Sequence, residues 1–383
     1  MRLLNVIDSF APETGGTLKA MLEFNQELVK QGHVIESLAM GPKPEILPSA
    51  CGEFHVVGER KSVYGYDPLV LDWLKENVGR FDAVIAHGVW QFHTLATRLA
   101  CAKQGTPYFV YVHGMLDPWF KHTYPLKHIK KWFYWPWGEY LNLKNARAVF
   151  YTGEDEKALA RQSFWLYHCR EEIVPLGIEP PIKPKPAIIE QFRSATPGLD
   201  DAPYLLFLGR IYPKKGADIL IEAYRQLRKE SVELPHLVVA GPVQDDSFKS
   251  TLLGLAEDDP HIHFHEMVQG DQKWGAIAGA GALILPSHQE NFGIVVAEAL
   301  GLGVPALISD KVNIWREVVD DQAGLAEVDT VAGVRDLLTK WCALTDDQRF
   351  AMSASAQLAF NKRYDITQAT DHLISVLDRC LSN

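Results

Sequence analysis

Short, unbroken apolar runs recur along the chain. LLNVID, AVIAHG, PYFVYVHG and RAVFYTG fall in the first half, and YLLFLGR, HLVVAGP, ALILPS and VPALIS in the second. None alternates apolar with polar positions, as a strand with one wet face would; a continuous run suits a parallel strand buried on both faces. Between the runs the period changes to that of a helix. After Gly16, TLKAMLEFNQELVKQG sets Leu18, Met21, Leu22 and Leu28 on roughly one helical face and stops at Gly32. Strands alternating with amphipathic helices predict an α/β protein built from βα units.

The pattern breaks once, at LGIEPPIKPKPAIIEQFRSATPGLDDAPY, whose prolines and polar residues read as a linker rather than a packed element. A chain of 383 residues also exceeds the usual size of one core. The expected organisation is a first Rossmann-like domain over 1–178, a linker over 179–202 and a second domain over 203–362. A closing helix within 363–383 would cross back to the first domain. Two doubly wound domains would face one another across a cleft, ligands meeting the carboxyl ends of the strands.

Composition narrows the chemistry. Forty-eight acids against 38 Lys and Arg leave a formal charge of −10, which argues against a nucleic-acid footprint. The five cysteines, Cys51, Cys101, Cys169, Cys342 and Cys380, have no CxxC spacing, which suits a reducing cytoplasm. MRLLNVIDSFAPETGG enters directly into a strand and a glycine turn, so no secretion leader is expected. No apolar run approaches the roughly 20 residues of a membrane span, so membrane contact is expected to be peripheral at most.

Three stretches carry candidate chemistry. In PETGGTLKA, Gly15 and Gly16 turn the chain from a strand into a helix, where backbone amides and the helix dipole suit a phosphate; an ordinary strand-to-helix turn reads the same way. In LGRIYPKKG, Arg210 offers a planar fork and Lys215 a point charge for a diphosphate; the alternative is a solvated basic turn. In SHQENFGIVVAEALGLGVP, Glu290 and Glu298 stand eight positions apart, so they do not share a helical face. Glu290 precedes the helix, beside the free amides of Phe292, Gly293 and Ile294, and Glu298 lies within it. The plain alternative makes one a cap and the other a solvated acid.

Together, GGT, YVHGMLDPW, FLGRIYPKKG and LPSHQENFGIVVAEALGLGVP resemble, in order and spacing, the retaining glycosyltransferases of family 4, which have the GT-B fold and an EX7E signature. The resemblance covers nearly the whole chain. It implies that Arg210 and Lys215 bind the pyrophosphate of a nucleotide sugar, Glu298 the ribose and Glu290 the hexose. Gly15, Gly16, Asn291, Phe292, Gly293 and Ile294 would complete the donor site, with Val268 near the base. His113, in YVHGML, matches the family's first-domain active-site histidine. His87 and His93 are candidates to face the acceptor.

The reading is therefore a metal-independent, retaining hexosyltransferase without a cofactor. Its donor would be UDP-glucose or a related UDP-hexose, and its acceptor a glycan or lipid-linked oligosaccharide of a surface or extracellular polysaccharide. The cytoplasm, or the inner face of the plasma membrane, is the expected location. No DxD motif anchors a metal, and Arg210 with Lys215 makes one unnecessary. A sugar-nucleotide epimerase of the same fold and a non-catalytic nucleotide-sugar-binding subunit are the alternatives.

Two further features stand apart. HIHFHE places His261, His263 and His265 on one strand face, a zinc-like spacing with no acidic or cysteine partner identifiable nearby, and is read as structural. DPWFKHTYPLKHIKKWFYWPWGEY interleaves Trp119, Phe120, Trp132, Phe133, Trp135 and Trp137 with Lys121, Lys127, Lys130 and Lys131. That mixture suits an anionic membrane interface, or else an internal helix whose aromatic residues pack in the first domain.

Overall fold

The structure, a computed structural model, describes residues 1–11, 14–42, 48–123 and 125–382, without the side chains of Phe120, His122, Pro125 and Lys127. Pro12 and Glu13 of the first glycine motif, and the Phe120 and Lys127 side chains of the aromatic segment, thus lie outside the described residues. Two compact units form: Met1–Glu179 with Asp365–Asn383, and Pro180–Tyr364.

The first unit holds strands β1 (Arg2–Val6), β2 (Val34–Ala39), β3 (Glu53–Val56), β4 (Ala83–His87), β5 (Tyr108–Tyr111), β6 (Ala148–Tyr151) and β7 (Glu171–Ile173). They form one parallel sheet in the order β3-β2-β1-β4-β5-β6-β7. The second unit holds β8 (Tyr204–Leu208), β9 (His236–Ala240), β10 (Ile262–His265), β11 (Ala282–Leu285), β12 (Ala306–Ser309) and β13 (Gly324–Glu327). Their order is β10-β9-β8-β11-β12-β13, again all parallel. The continuous apolar runs are the central strands: β4, β5, β6, β8, β11 and β12 are buried along their whole length. Helices cover both faces, as parallel strands require.

Each sheet changes winding direction once, between β1 and β4 in the first unit and between β8 and β11 in the second. Loops leaving those strands diverge, opening the crevice where doubly wound sheets take ligands.

The linker reading of 179–202 needs correction. Pro186–Ser194 is a helix, opened by a proline in its first turn. Ile188, Ile189 and Phe192 form its inward face. Phe192 is fully buried against Tyr204, and the helix lies so close to Gly275 that a Cβ there would meet the Ile188 carbonyl at 2.6 Å. The prolines obscured a short amphipathic pattern.

The helix Ile366–Leu381 packs on the first unit. Asp365 caps it by accepting from Thr367 and Gln368 amides, and His372 Nε2 meets the Ile173 carbonyl at 2.9 Å. Glycine is needed at 177, where a Cβ would come within 2.7 Å of Ile366 Cα. No helix among the described residues is long and apolar enough to cross a membrane.

Candidate functional site

In the second unit, Gly209 and Arg210 follow β8, a short 3-10 turn spans Pro213–Lys215, and Gly216 starts the helix Ala217–Lys229 in the left-handed region. A Cβ at Gly216 would sit 2.2 Å from the Pro286 carbonyl oxygen, so glycine lets this turn press against the end of β11. The His288 amide donates to the Lys214 carbonyl at 2.9 Å, tying the two loops. Glu290 is clamped from the other side: its amide donates to the Lys311 carbonyl and its carbonyl accepts from the Asn313 amide, both at 3.0 Å.

These supports bring Lys215 and Glu290 into direct contact, Nζ on Oε2, with both side chains largely buried. Burial first, then the charges of Lys214 and Arg210, push the Lys215 ammonium down to about 7. Arg210 is exposed and makes a long contact of 3.5 Å to Gln244 Oε1. Gly293, at φ 70, then starts the helix Ile294–Gly301, and among the described residues no side chain caps it. The first-turn amides therefore present an anion-binding end at the β8/β11 switch point.

Glu298 is not a solvated surface acid. It is 2% exposed and pairs with Lys273 Nζ at 2.6 Å. Lys273 stands on the helix Gly270–Ala278 and was not anticipated, because a lone lysine in GDQKWGAIA looks like any solvated helix position. Phe292 buries its ring against Tyr364, leaving its backbone as the part open to a ligand. Asn291 Oδ1 accepts from Asn313 Nδ2 at 3.2 Å, and Val268 is buried beyond β10.

The first unit gathers different chemistry at its β1/β4 switch point. His113 follows β5 with φ 52, in the left-handed region that non-glycine residues seldom adopt. Its ring stacks on Tyr111 at 4.3 Å, and its Nε2 lies 3.0 Å from His87 Nδ1. His87 Nε2 meets Asn5 Oδ1 at 2.9 Å, Asn5 Nδ2 donates to Asn25 Oδ1 at 2.7 Å, and Asn25 Nδ2 donates to Ser37 Oγ at 2.9 Å. An amide oxygen can only accept, so His87 carries its proton on Nε2 and offers Nδ1 as an acceptor. His113 must then donate from Nε2, and its Nδ1 is left as an acceptor. Burial holds both imidazoles below their ordinary range, which keeps the relay neutral.

A cavity of about 330 Å³ opens among Asp8, Thr14, Thr17, Arg60, His87 and Gln91. Asp8 pairs with Arg60 at 2.7 Å. Gly15 caps the helix Gly16–Lys30 at φ 69 without a side-chain bond, and both glycines are exposed. His93, fully buried, meets the His87 carbonyl through Nε2 at 2.9 Å. Asn5 did carry a signal, as a lone amide inside the apolar run LLNVID. Asp8 and Arg60 carried none.

The three histidines of HIHFHE, His261 just before β10 and the other two within it, engage separate partners: His263 with His236 at 2.8 Å, His265 with the Glu266 carbonyl at 3.1 Å, and His261 with Asp259 at 3.2 Å. Asp259 corrects the expectation that no acid stands near them.

Two parallel sheets, each reversing its winding at a switch point, define a doubly wound α/β protein of the GT-B class. Residues 15–177 match the glycosyl transferase 4-like domain and residues 189–356 the glycosyl transferases group 1. The chain belongs to the family-4-like glycosyltransferases. Anabaena HepE, solved with UDP and glucose, has the same fold: TM-score 0.75, 18% identity, covering 99% of this chain and 100% of that one. WaaG, a glycosyltransferase involved in lipopolysaccharide biosynthesis, has TM-score 0.66 and 18% identity over 98% of this chain and 99% of its own. A D-inositol 3-phosphate glycosyltransferase of Xylanimonas cellulosilytica is 29% identical over 54% of this chain and 51% of its own length. A phosphatidyl-myo-inositol mannosyltransferase of Mycobacterium leprae is 29% identical over 48% of this chain and 50% of its own. The chain thus spans about half the length of these curated relatives.

Proposed function

We propose that the protein is a retaining hexosyltransferase that moves a hexose, glucose first among the candidates, from a UDP-sugar to a glycan acceptor of a surface or extracellular polysaccharide. The observation that carries this reading is the Lys215–Glu290 pair, set between exposed Arg210 and an uncapped helix end at the β8/β11 switch point. A nucleotide diphosphate would take the ammonium and release the carboxylate to accept from hexose hydroxyls. Bond cleavage at the anomeric carbon sends the electron pair to the diphosphate, where Arg210, Lys215 and the helix amides stabilise it without a metal. Glu290 then positions the hexose, and Glu298, held by Lys273, takes ribose hydroxyls. The acceptor oxygen bonds to the anomeric carbon and its proton passes to the leaving diphosphate. In the first unit, His113 Nδ1 accepts from a substrate hydroxyl and the Gly15–Gly16 turn takes an anion.

HepE's complexes with UDP, glucose and UDP-glucose support a UDP-hexose donor. The inositol-linked and mannosyl-transferring relatives make an inositol-bearing acceptor or a mannose donor the variants to include. The test incubates the protein with UDP-glucose, other UDP-hexoses and GDP-mannose, measures released nucleotide and determines product configuration. Release from a UDP-hexose with retained configuration, unaffected by chelator, is expected. Release from no UDP-hexose, isomerisation of the donor without acceptor, or strict dependence on a divalent ion each overturns the corresponding part.

A further inference from the structure

The helix Pro125–Tyr134 turns its apolar residues outward. Leu126 is 78%, Ile129 52% and Phe133 68% exposed, at positions that share one helical face. Trp132, Trp137 and Trp165 are exposed around them, and Trp135 goes into the core. The internal-helix alternative therefore holds for Trp135 and fails for this face. Beside the helix a groove of about 630 Å³ runs among Ile129, Trp132, Phe133, Phe164 and Trp165, with Lys121 on its lining. Residues 119–137 contain four lysines and no Asp or Glu, in a chain of net charge −10. Monomer surfaces rarely leave so many large apolar side chains together.

We propose that this face of the first unit docks on the headgroup region of an anionic phospholipid bilayer. Tryptophan with lysine is the composition of a membrane interface: the rings enter the boundary between headgroups and acyl chains while the ammonium groups reach lipid phosphates. The aromatic groove is the place for an acyl-chain segment. A second copy of the chain is a poor occupant, because a two-fold contact would set the same lysines against themselves. The proposal stands independently of the donor and acceptor assigned above.

The test is sedimentation of the full chain with vesicles of phosphatidylcholine, with and without phosphatidylglycerol. Binding should need the anionic lipid and weaken as salt rises. Phe133→Ser with Trp165→Ser should lower vesicle affinity at least about tenfold with an unchanged circular dichroism spectrum. Lys121→Glu with Lys130→Glu, both at exposed positions, should lower it by about twentyfold or more, since each surface lysine is worth about fivefold. The lysine variant decides the matter if the apolar one does not fold. Absence of binding to anionic vesicles, equal binding by the variants, or a dimer in solution that the apolar substitutions dissolve would each overturn the proposal.

Discussion

At the β8/β11 switch point the side chains that gather are charged: Arg210, Lys215 and Glu290, with the Lys273–Glu298 pair in the same unit. At the β1/β4 switch point two imidazoles and two amides, ending on the Ser37 hydroxyl, form a relay kept neutral by burial, and the Asp8–Arg60 pair lines the cavity beside it. The topology is the same, but only the first unit builds a neutral relay. An exposed charge near a helix end suits a ligand that brings its own charge, whereas a neutral relay with fixed tautomers suits hydroxyls, which must be both given and offered hydrogen bonds. Substitutions that move charge into or out of either set test whether the division of labour is real.

The largest effect belongs to the charged set. Glu290→Ala should reduce transfer by about 10²–10³-fold, the usual range for removing one preorganised electrostatic partner. Glu290→Gln, which keeps the size and loses the charge, should recover part of it. Steady-state nucleotide release with a matched circular dichroism spectrum checks both; full activity in Glu290→Ala would remove Glu290 from the site. Next comes Arg210→Ala, which should weaken UDP binding by about 10- to 100-fold, as loss of a charge-assisted contact does. Arg210→Lys should restore only part of the binding measured by calorimetry, because an ammonium does not reproduce the fork. Equal affinities for the lysine and arginine forms would argue against bidentate phosphate contact.

The neutral set should respond through stability before activity. Asn5→Leu strands His87 Nε2–H and Asn25 Oδ1 in the core and should cost about 1–3 kcal/mol in chemical denaturation, with UDP affinity unchanged. Asn5→Asp asks a sharper question. A carboxylate beside His87 favours its imidazolium, which donates from both nitrogens and so forces His113 to accept at Nε2. Nitrogen NMR of the imidazoles should show His113 switching its proton to Nδ1; an unchanged tautomer would show that the relay does not control it.

Much of this contrast was legible in the sequence, and the remainder was hidden for identifiable reasons. The central strands announced themselves because strands buried on both faces must be apolar throughout. β2 escaped notice since Glu36 lies within it, and that acid is tolerated at 2% exposure because Arg2, Arg80 and His55 surround it. β3, β7 and β13 lie at or near sheet edges and are three or four residues long, too short to establish a pattern. The Glu290 and Lys215 motifs could be read because their backbone geometry demands glycine at 216 and 293. Their mutual pairing could not, since it joins residues 75 positions apart through the register of β8 and β11. The relay was invisible for the same reason: Asn5, Asn25 and His87 meet only once β1 lies beside β4.

The smallest effect is also the one whose sign separates the two sets most cleanly. His113, ordinarily near 6.5, is held down to about 3 by burial, and His87 is lowered by burial and by its neighbours His113 and His93. The unfolded chain binds a proton at each near their ordinary value, and the folded first unit does not. Below about pH 6.5 the unfolded state therefore carries more protons, and stability falls as pH drops, by at most about 1.4 kcal/mol per pH unit for each histidine. Above that pH the two states bind alike and the contribution is flat. Buried Glu139, pushed up to about 7 chiefly by desolvation, works in the other direction: the folded state holds its proton between its ordinary 4.5 and about 7, so acidification favours folding there. The raw pH profile of the wild-type chain thus mixes opposing slopes. Calorimetric unfolding of the full chain at several pH values, compared with His113→Gln, removes the Glu139 part because both proteins share it. The wild type should lose more stability than the variant between pH 6.5 and 4.5, and identical slopes would mean that His113 takes up its proton in the folded protein, which the neutral relay forbids.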